Sequence, residues 1–182
     1  MARLYLVRHG EAAAGWGDDL DPGLSDLGRA QADAAAATLR DVGPLPVISS
    51  PLRRCRETAA PLEAAWSATA TVVPDVGEIE SPSPDLAARA TWLRQVMGGS
   101  WEDLDSITRG WRDRVVAALV AIPDETVVFT HFIAMNVAVG NATGRDEVVC
   151  FSPRNCAITV VDNAGGQLQV VELGLEGESV VR

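Results

Sequence analysis

Short unbroken runs of apolar residues alternate along most of the chain with longer stretches that have helical spacing. A short apolar run bounded by polar residues is typical of a buried strand, and a longer periodic stretch is typical of a helix. The predicted strands lie at 4–7, 47–48, 71–73 and 126–130. The predicted helices lie at 25–39, from about 52 onwards, at 84–97, at 104–121 and over about ten residues ending near 140.

Residues at the ends of these helices predict where they begin and break. Ser25 is expected to cap the first helix, and Ser83 the third, with Pro84 as the first helical residue of the third. Pro61 is expected to kink or interrupt the second helix because proline has no backbone N–H.

The end of the chain has a different pattern. Two apolar runs at 156–161 and 168–173 flank a turn at 163–166, which is typical of a hairpin. Alternating strands and helices followed by a hairpin predict an α/β fold. We expect a mostly parallel sheet flanked by helices on both faces, with a C-terminal antiparallel hairpin at its edge.

The length of 182 residues predicts a single domain over 1–182. Within it, roughly 80–123 is expected to form a small helical insertion or cap. Trp92, Trp101 and Trp111 lie in this segment, where they can either roof a crevice or fill a helical core. The sequence leaves both interpretations open.

Polar residues follow three of the predicted strands directly. Arg8 and His9 follow the first strand, Arg54 lies shortly after the second, and His131 follows the strand at 126–130. Taken singly, these residues are also compatible with a surface turn, a solvated helix face and a buried core histidine. Ligands of open α/β sheets bind outside the carboxyl ends of the strands. Since the chain has only two histidines and both lie at such ends, we expect one shared crevice.

Four stretches carry a resemblance to a known family: LVRHGE at 6–11, LSDLGRAQA at 24–32, SSPLRRCRETA at 49–59 and VVFTH at 127–131. With them the chain resembles the histidine phosphatase superfamily, the phosphoglycerate-mutase-like proteins. The resemblance implies that His9 is the nucleophile, that Arg8 and Arg54 bind phosphate, and that His131 is the second histidine of the site.

The resemblance also implies an acid after the third strand, for which Glu78 is the candidate and Glu80 the runner-up. Gly10 is expected to leave space for phosphate beside His9. Phe132 stands where the family usually has glycine, so its backbone N–H is expected to face the phosphate while its ring narrows the pocket.

The expected activity is hydrolysis of a phosphoric monoester through a covalent phosphohistidine. The substrate is a small phosphorylated metabolite or a phosphorylated protein side chain, with no metal or other cofactor. One alternative is a phosphoglycerate-mutase-type phosphotransferase, for which the sequence shows no additional basic cluster to hold a bisphosphate. The other is a non-catalytic module that binds phosphorylated ligands.

Charge and cysteine content exclude some classes of protein. The net charge of -10 argues against a nucleic-acid partner, which requires a basic surface. Three cysteines without metal-ligand spacing favour a reducing, cytoplasmic location. No stretch approaches the ~20 apolar residues of a membrane span, so no membrane partner is expected. The oligomeric state stays open.

Overall fold

A six-stranded mixed sheet organises the protein in the computed structural model, which describes residues 1–15 and 17–177. Trp16 and residues 178–182 of the domain predicted over 1–182 lie outside the described residues. The strands are β1 (Ala2–Arg8), β2 (Val47–Ser49), β3 (Thr71–Val72), β4 (Thr126–Thr130), β5 (Ile158–Ala164) and β6 (Gln167–Glu172). Their order is β3-β2-β4-β1-β5-β6. The first four are mutually parallel, and β5 and β6 are antiparallel at one edge.

Helices cover both faces of the sheet. They are α1 (Asp26–Leu39), α2 (Arg53–Trp66), α3 (Leu86–Met97), α4 (Ser106–Val120) and α5 (Phe132–Thr143). One hydrophobic cluster joins α1 and α2 to one face, and a second joins α3, α4 and α5 to the other. The predicted fold class, including the hairpin at the edge, is confirmed.

Alternation along the central strands explains the two clusters. In β1, Leu4 and Leu6 belong to the cluster of α4 and α5, whereas Val7 belongs to that of α1 and α2. In β4, Val128 and Phe129 divide in the same way. Because side chains of a strand point alternately to opposite faces, an unbroken apolar strand is what a sheet covered on both sides requires.

The third helix begins later than predicted, and Asp85 rather than Ser83 caps it. The Asp85 carboxylate accepts from the backbone N–H of Ala88 at 2.8 Å. The Ser83 hydroxyl instead accepts from the backbone N–H of Asp85 at 3.2 Å, in the turn before the helix. Pro84 therefore precedes the helix, which starts at Leu86.

Three other helix predictions are refined by the structure. Pro61 lies inside α2 and does not interrupt it, because packing of Cys55, Ala59 and Leu62 of this helix against the sheet compensates for the missing hydrogen bond. The next helix begins at Ser106 rather than 104, because Asp105 accepts from the N–H groups at its start. The last extends beyond 140 to Thr143.

The hairpin has a shorter loop than predicted. β5 begins at Ile158 and continues through the predicted turn to Ala164, so only Gly165 and Gly166 connect it to β6. Both glycines have positive φ, at 60° and 79°, which two-residue turns with this twist require. Asn163 and Ala164 can therefore pair in the ladder.

The most apolar helix, α5, is buried from Phe132 to Gly140 between the sheet and α4. Its apolar character on every side matches this burial. Over the described ranges, we find no helix with both the length and the apolar character needed to cross a membrane.

Candidate active site

Pairing between parallel strands continues one residue beyond their ends and aligns the two histidines. The backbone N–H of His9 donates to the carbonyl of Thr130 at 3.0 Å, and that of Ser50 donates to the carbonyl of Phe129 at 3.0 Å. The ring centroids of His9 and His131 are consequently 5.2 Å apart. The expected crevice at the carboxyl ends of β1, β2 and β4 is formed by this alignment.

Arg54, in the first turn of α2, lies between the two imidazole rings. Its Nε donates to Nε2 of His9 at 3.2 Å, and its Nη2 donates to Nδ1 of His131 at 3.1 Å. A guanidinium only donates hydrogen bonds, so both ring nitrogens must carry a lone pair. Arg54 therefore fixes the tautomer of each histidine.

The remaining ring nitrogens have partners that match these tautomers. Nδ1 of His9 donates to the carbonyl of Gly10 at 2.7 Å. Nε2 of His131 is 2.8 Å from the hydroxyl of Ser50, to which it donates. The lone pair of His9 is thus on Nε2, on the side of the ring that Arg54 contacts.

Both rings are held in the neutral form. Burial lowers the pKa of His9 well below its usual 6.5, and the charges of Arg54 and Arg8 lower it further. Burial lowers the pKa of His131 in the same direction, again with Arg54 contributing. A neutral imidazole keeps the lone pair that a nucleophile needs.

Arg8 is buried at the end of β1 and is held by the loop before β5. Its Nη1 donates to the carbonyl of Pro153 at 2.7 Å, and its guanidinium lies 4.9 Å from the ring centre of Phe132. Burial lowers its pKa to about 10, which leaves it protonated at neutral pH. In the same loop, the side chain of Asn155 donates to the carbonyl of His9 at 3.0 Å. The loop therefore fixes both Arg8 and His9.

Glu78 reaches the site from the irregular segment after β3. The hydroxyl of Thr130 donates to the carbonyl of Val76 at 2.7 Å, which ties this segment to β4. One carboxylate oxygen of Glu78 accepts from the N–H of Ile79, and the other is 4.0 Å from Nδ1 of His131. Because His131 is neutral, this contact is not an ion pair. Glu80 is exposed.

The carboxyl of Glu78 is buried, and burial raises its pKa from 4.5 to about 6. The N–H of Ile79 and the charges of Arg54 and Arg8 oppose the rise. A carboxyl that titrates near neutrality can both donate and accept a proton at working pH.

Gly10 is required by packing against α1. A Cβ at this position would lie 2.5 Å from the carbonyl oxygen of Gly28. The N–H of Gly10 donates to the hydroxyl of Thr58, which in turn donates to the carbonyl of Arg54. Gly10 thereby connects the segment of His9 to α2, and it does not line the cavity described next.

A cavity of about 350 Å³ opens in front of these groups. Of the residues predicted for the site, those that line it are Arg8, His9, Arg54, Glu78 and Phe132. His131 has no exposed surface and lies behind Arg54. Within residues 1–15 and 17–177, no group of three or more His, Cys, Asp or Glu side chains is arranged to hold a metal ion.

Sequence reasoning missed five polar residues that line the cavity, which are Glu11, Asp18, Asp19, Arg89 and Asn155. Arg89 lies on α3 with Leu93 and Met97, which also line the cavity, at a spacing of four residues. This spacing shows that the three residues share one helix face, but it does not indicate which part of the protein that face meets. Of the tryptophans at 80–123, Trp101 and Trp111 are buried in the core and Trp92 packs against it.

Acid is expected to destabilise the folded protein through the two buried histidines. Their pKa values are lower when folded, so their stabilising contribution is full above pH 6.5 and is lost as the pH falls. Glu78 has the opposite effect on stability. Folding raises its pKa from 4.5 to about 6, so protonation of its carboxyl over this pH range favours the folded state. Because two groups with a lowered pKa oppose one with a raised pKa, we expect the free energy of unfolding to fall on acidification.

Denaturant titrations between about pH 7.5 and about pH 5 measure this change. A His131→Asn variant should lose less free energy of unfolding than the wild type over that interval. A wild-type stability that is constant or rises on acidification would contradict the assignment of neutral buried rings.

Comparisons with known proteins show which proteins this chain is similar to. A glucosyl-3-phosphoglycerate phosphatase of Mycolicibacterium vanbaalenii is 30% identical over 163 residues, which is 82% of this chain and 67% of that protein. A probable phosphoglycerate mutase of Erwinia tasmaniensis is 27% identical over 185 aligned residues, or 90% of this chain and 86% of that protein.

Solved structures share the fold. A phosphoserine phosphatase of Entamoeba histolytica, in complex with 3-phosphoglyceric acid, has a TM-score of 0.75 at 19% identity, covering 96% of this chain and 98% of that chain. A mycobacterial glucosyl-3-phosphoglycerate phosphatase in complex with VO3 has a TM-score of 0.72 at 22% identity. The match covers 94% of this chain and 98% of that chain.

A family profile matches residues 4–176, which covers all but the first two residues of β1, the other five strands and all the cavity-lining residues named above. The match extends over nearly the whole chain, and the chain therefore belongs to the histidine phosphatase superfamily (branch 1).

Proposed function

We propose that the protein is a phosphoric monoester hydrolase that acts through a covalent phosphohistidine on His9. The observation that carries the proposal is the neutral His9, whose Nε2 lone pair lies beside Arg54 at the wall of the cavity. Formation of an N–P bond at Nε2 and cleavage of the ester P–O bond transfer the phosphoryl group and release an alkoxide. Water then attacks phosphorus and regenerates the neutral imidazole.

Arg54 links substrate binding to activation of the nucleophile. Without substrate, its donors rest on the lone pairs of His9 and His131. The oxygens of a phosphate dianion are stronger acceptors, so Arg54 turns to them and releases Nε2 of His9 for attack. Arg8 supplies the second guanidinium, and together they balance the charge of the transferring group. These two cations provide charge stabilisation without a metal ion.

His131 has the role of a donor to one phosphate oxygen. Once Arg54 moves, the tautomer with hydrogen on Nδ1 can donate to phosphate, while the Ser50 hydroxyl donates to Nε2. The backbone N–H of Phe132, at the start of α5, lies at the same wall and is proposed as a further donor. Gly10 keeps the turn after His9 close to α1.

Glu78 is proposed as the general acid and base. Its protonated form gives a proton to the leaving alkoxide, and its carboxylate then takes one from the attacking water. A pKa of about 6 makes both forms accessible near neutral pH.

The proposed substrate is a small phosphorylated metabolite or a phosphorylated protein side chain. Two relatives are named for phosphorylated glycerate compounds, which favours a metabolite.

We propose one domain over 1–182, with roughly 80–123 as the cap. Within it α3 forms a cavity wall, whereas α4 packs against α5. The three free thiols suit a reducing compartment, so we expect a cytoplasmic enzyme.

Release of inorganic phosphate from p-nitrophenyl phosphate in the presence of EDTA tests this function. We expect sustained turnover that EDTA does not reduce, because Arg8 and Arg54 supply the positive charge. Loss of activity with EDTA and its recovery with a divalent metal would contradict the metal-free mechanism. No hydrolysis of this or any other phosphate ester by the folded protein would indicate a phospho-ligand-binding module.

A phosphoglycerate-mutase-type transferase is the second candidate, because one relative is named a probable phosphoglycerate mutase. Arg89 adds a third arginine to the cavity, beyond the two that sequence motifs indicate. Nuclear magnetic resonance of phosphorus distinguishes the two activities on 3-phosphoglycerate. A hydrolase yields inorganic phosphate, and a mutase yields 2-phosphoglycerate.

A further inference from the structure

The backbone just beyond β1 sets the orientation of the candidate nucleophile. Nδ1 of His9 donates to the carbonyl of Gly10, the next residue of the chain, at 2.7 Å. A side chain reaches the carbonyl of its own neighbour only over a narrow range of backbone angles, so this bond depends on how the intervening peptide group is turned. The peptide group between His9 and Gly10 therefore determines where the opposite ring nitrogen, Nε2, points.

Side chains from two other parts of the fold hold both polar groups of that peptide. The carbonyl of His9 lies past the end of β1 and accepts from the side-chain amide of Asn155 at 3.0 Å. The N–H of Gly10 donates to the hydroxyl of Thr58 on α2 at 3.0 Å. A peptide group that is held at its oxygen and at its nitrogen cannot turn without losing a hydrogen bond.

The loop before β5 fixes Asn155 through backbone hydrogen bonds on both sides of it. The N–H of Arg154 donates to the carbonyl of Leu175 at 2.9 Å, and that of Cys156 donates to the carbonyl of Arg8 at 3.0 Å. Cys156 has a φ of 57°, in the left-handed region that residues other than glycine seldom adopt. Such a conformation persists where the surrounding structure determines it, and it is typical of functional sites.

Asn155 also lies next to the place where the proposed reaction occurs. It lines the same cavity as His9 and Arg54. Without substrate, Arg54 donates to Nε2 of His9 and supports the ring from that side. When Arg54 turns to the phosphate, this support is lost, and the bond from Nδ1 to the Gly10 carbonyl holds the ring and its tautomer. The contact from Asn155 therefore matters most during phosphoryl transfer.

We infer that Asn155 is a positioning residue, which holds the ring of His9 ready for attack by binding the carbonyl of His9. This inference rests on the proposed function and adds a residue to that site. In this role Asn155 acts through the peptide between His9 and Gly10 and not on the phosphoryl group. Its loss should slow phosphoryl transfer without weakening phosphate binding, since a displacement of reacting atoms by about 1 Å can cost about 10²-fold in rate.

Asn155→Leu tests the inference, because leucine has a similar size and no hydrogen-bond donor. Its kcat/KM for p-nitrophenyl phosphate, which reports the steps up to phosphoryl transfer, should fall about 10- to 100-fold. The inhibition constant of inorganic phosphate should stay within about threefold of the wild-type value, because Arg8 and Arg54 remain. Asn141→Leu is the matched control, since Asn141 is exposed on α5 and does not line the cavity, and it should keep wild-type values.

Nuclear magnetic resonance of the imidazole rings gives a second readout that does not need turnover. The chain has two histidines, so protein made with isotope-labelled histidine should give two sets of ring signals. In the wild type, the Nδ1–H proton of His9 should lie downfield and exchange slowly with water, because it is bound to a buried carbonyl. In Asn155→Leu this proton should move upfield and exchange faster. The Nε2–H proton of His131, which is bound to Ser50, is the internal reference and should not change.

Three results would overturn the inference even if the wild type hydrolyses p-nitrophenyl phosphate. Two are a kcat/KM of folded Asn155→Leu within about threefold of the wild type, and an unchanged Nδ1–H signal of His9. The third is a phosphate inhibition constant that rises as much as kcat/KM falls, because Asn155 would then act on phosphate binding through Arg8 and its loop.

Asn155→Ala is the second variant in case leucine does not fit, and the same results are expected for it. Absence of hydrolysis by the wild type, together with a His9 signal that depends on Asn155, would overturn the proposed function alone.

Discussion

Replacement of His9 by alanine is expected to lower the turnover of p-nitrophenyl phosphate by a factor on the order of 10⁴ to 10⁶. The substitution removes the phosphoryl acceptor, while Arg8 and Arg54 remain to bind phosphate. KM should change far less than kcat, because the lost interaction forms only as the N–P bond does.

The phosphoenzyme gives the direct measurement. Wild type mixed with substrate and quenched in alkali should contain one phosphorylated histidine, located by mass spectrometry in the peptide of His9. His9→Ala should contain none. His131 is the internal control in the same sample, since its Nε2 is occupied by Ser50 and the ring has no exposed surface.

Chemical rescue separates loss of the nucleophile from loss of the fold. His9 is buried, so alanine leaves a space that added imidazole can enter. Partial recovery of phosphate release with imidazole, and an unchanged cooperative unfolding transition, would locate the defect at the nucleophile. A His9→Ala protein that keeps more than about a tenth of wild-type turnover would contradict the covalent mechanism.

The grouping of His9, Arg54 and His131 was accessible from the sequence because of a property of parallel sheets. Each residue follows an apolar run, and the carboxyl ends of parallel neighbours meet at one edge. The backbone hydrogen bonds from His9 to Thr130 and from Ser50 to Phe129 hold these strand ends side by side, as expected. The order of the strands, with β4 between β1 and β2, is set by packing and has no local signal.

The position of Arg89 was not accessible in the same way. Arg89, Leu93 and Met97 form a row on one side of a helix, and the sequence pattern is equally compatible with an apolar face packed into the core. Which element that face meets depends on how α3 packs against the sheet. The N-terminal capping residue of α3 is also ambiguous in the sequence, since Ser83 and Asp85 are both of a type that caps helices well.

The reason for Gly10 also required the structure. Space for phosphate was the expected reason, whereas the nearest obstruction to a side chain is the backbone of α1 at Gly28. Close packing of the two segments is a tertiary effect that the motif alone does not reveal.

Glu78→Gln is expected to slow hydrolysis of alkyl phosphates by about 10²- to 10⁴-fold, the usual contribution of a positioned acid or base. Glutamine preserves the side-chain shape and can still accept from the N–H of Ile79 through its carbonyl oxygen. It cannot give a proton to an alkoxide or take one from water. The spacing implied by the family resemblance favours Glu78 over Glu80, and the structure adds that Glu78 is buried whereas Glu80 is exposed.

The leaving group separates the two roles of Glu78. p-Nitrophenolate departs without protonation, so Glu78→Gln should still form the phosphoenzyme from p-nitrophenyl phosphate. Attack by water would remain slow for lack of a base. Rapid mixing should therefore show a burst of p-nitrophenol equal to the enzyme concentration, followed by slow turnover, whereas an alkyl phosphate should give no burst.

The pH dependence tests the same assignment. Wild-type kcat/KM for an alkyl phosphate should fall as pH rises above about 6, because the free enzyme then loses the proton of Glu78. Glu78→Gln should lack this alkaline limb. Glu80→Gln is the matched control, since Glu80 is exposed, and it should keep wild-type rates and the wild-type profile. If Glu80→Gln lost the limb and Glu78→Gln kept it, the acid would be Glu80, and the burial of Glu78 would serve packing alone.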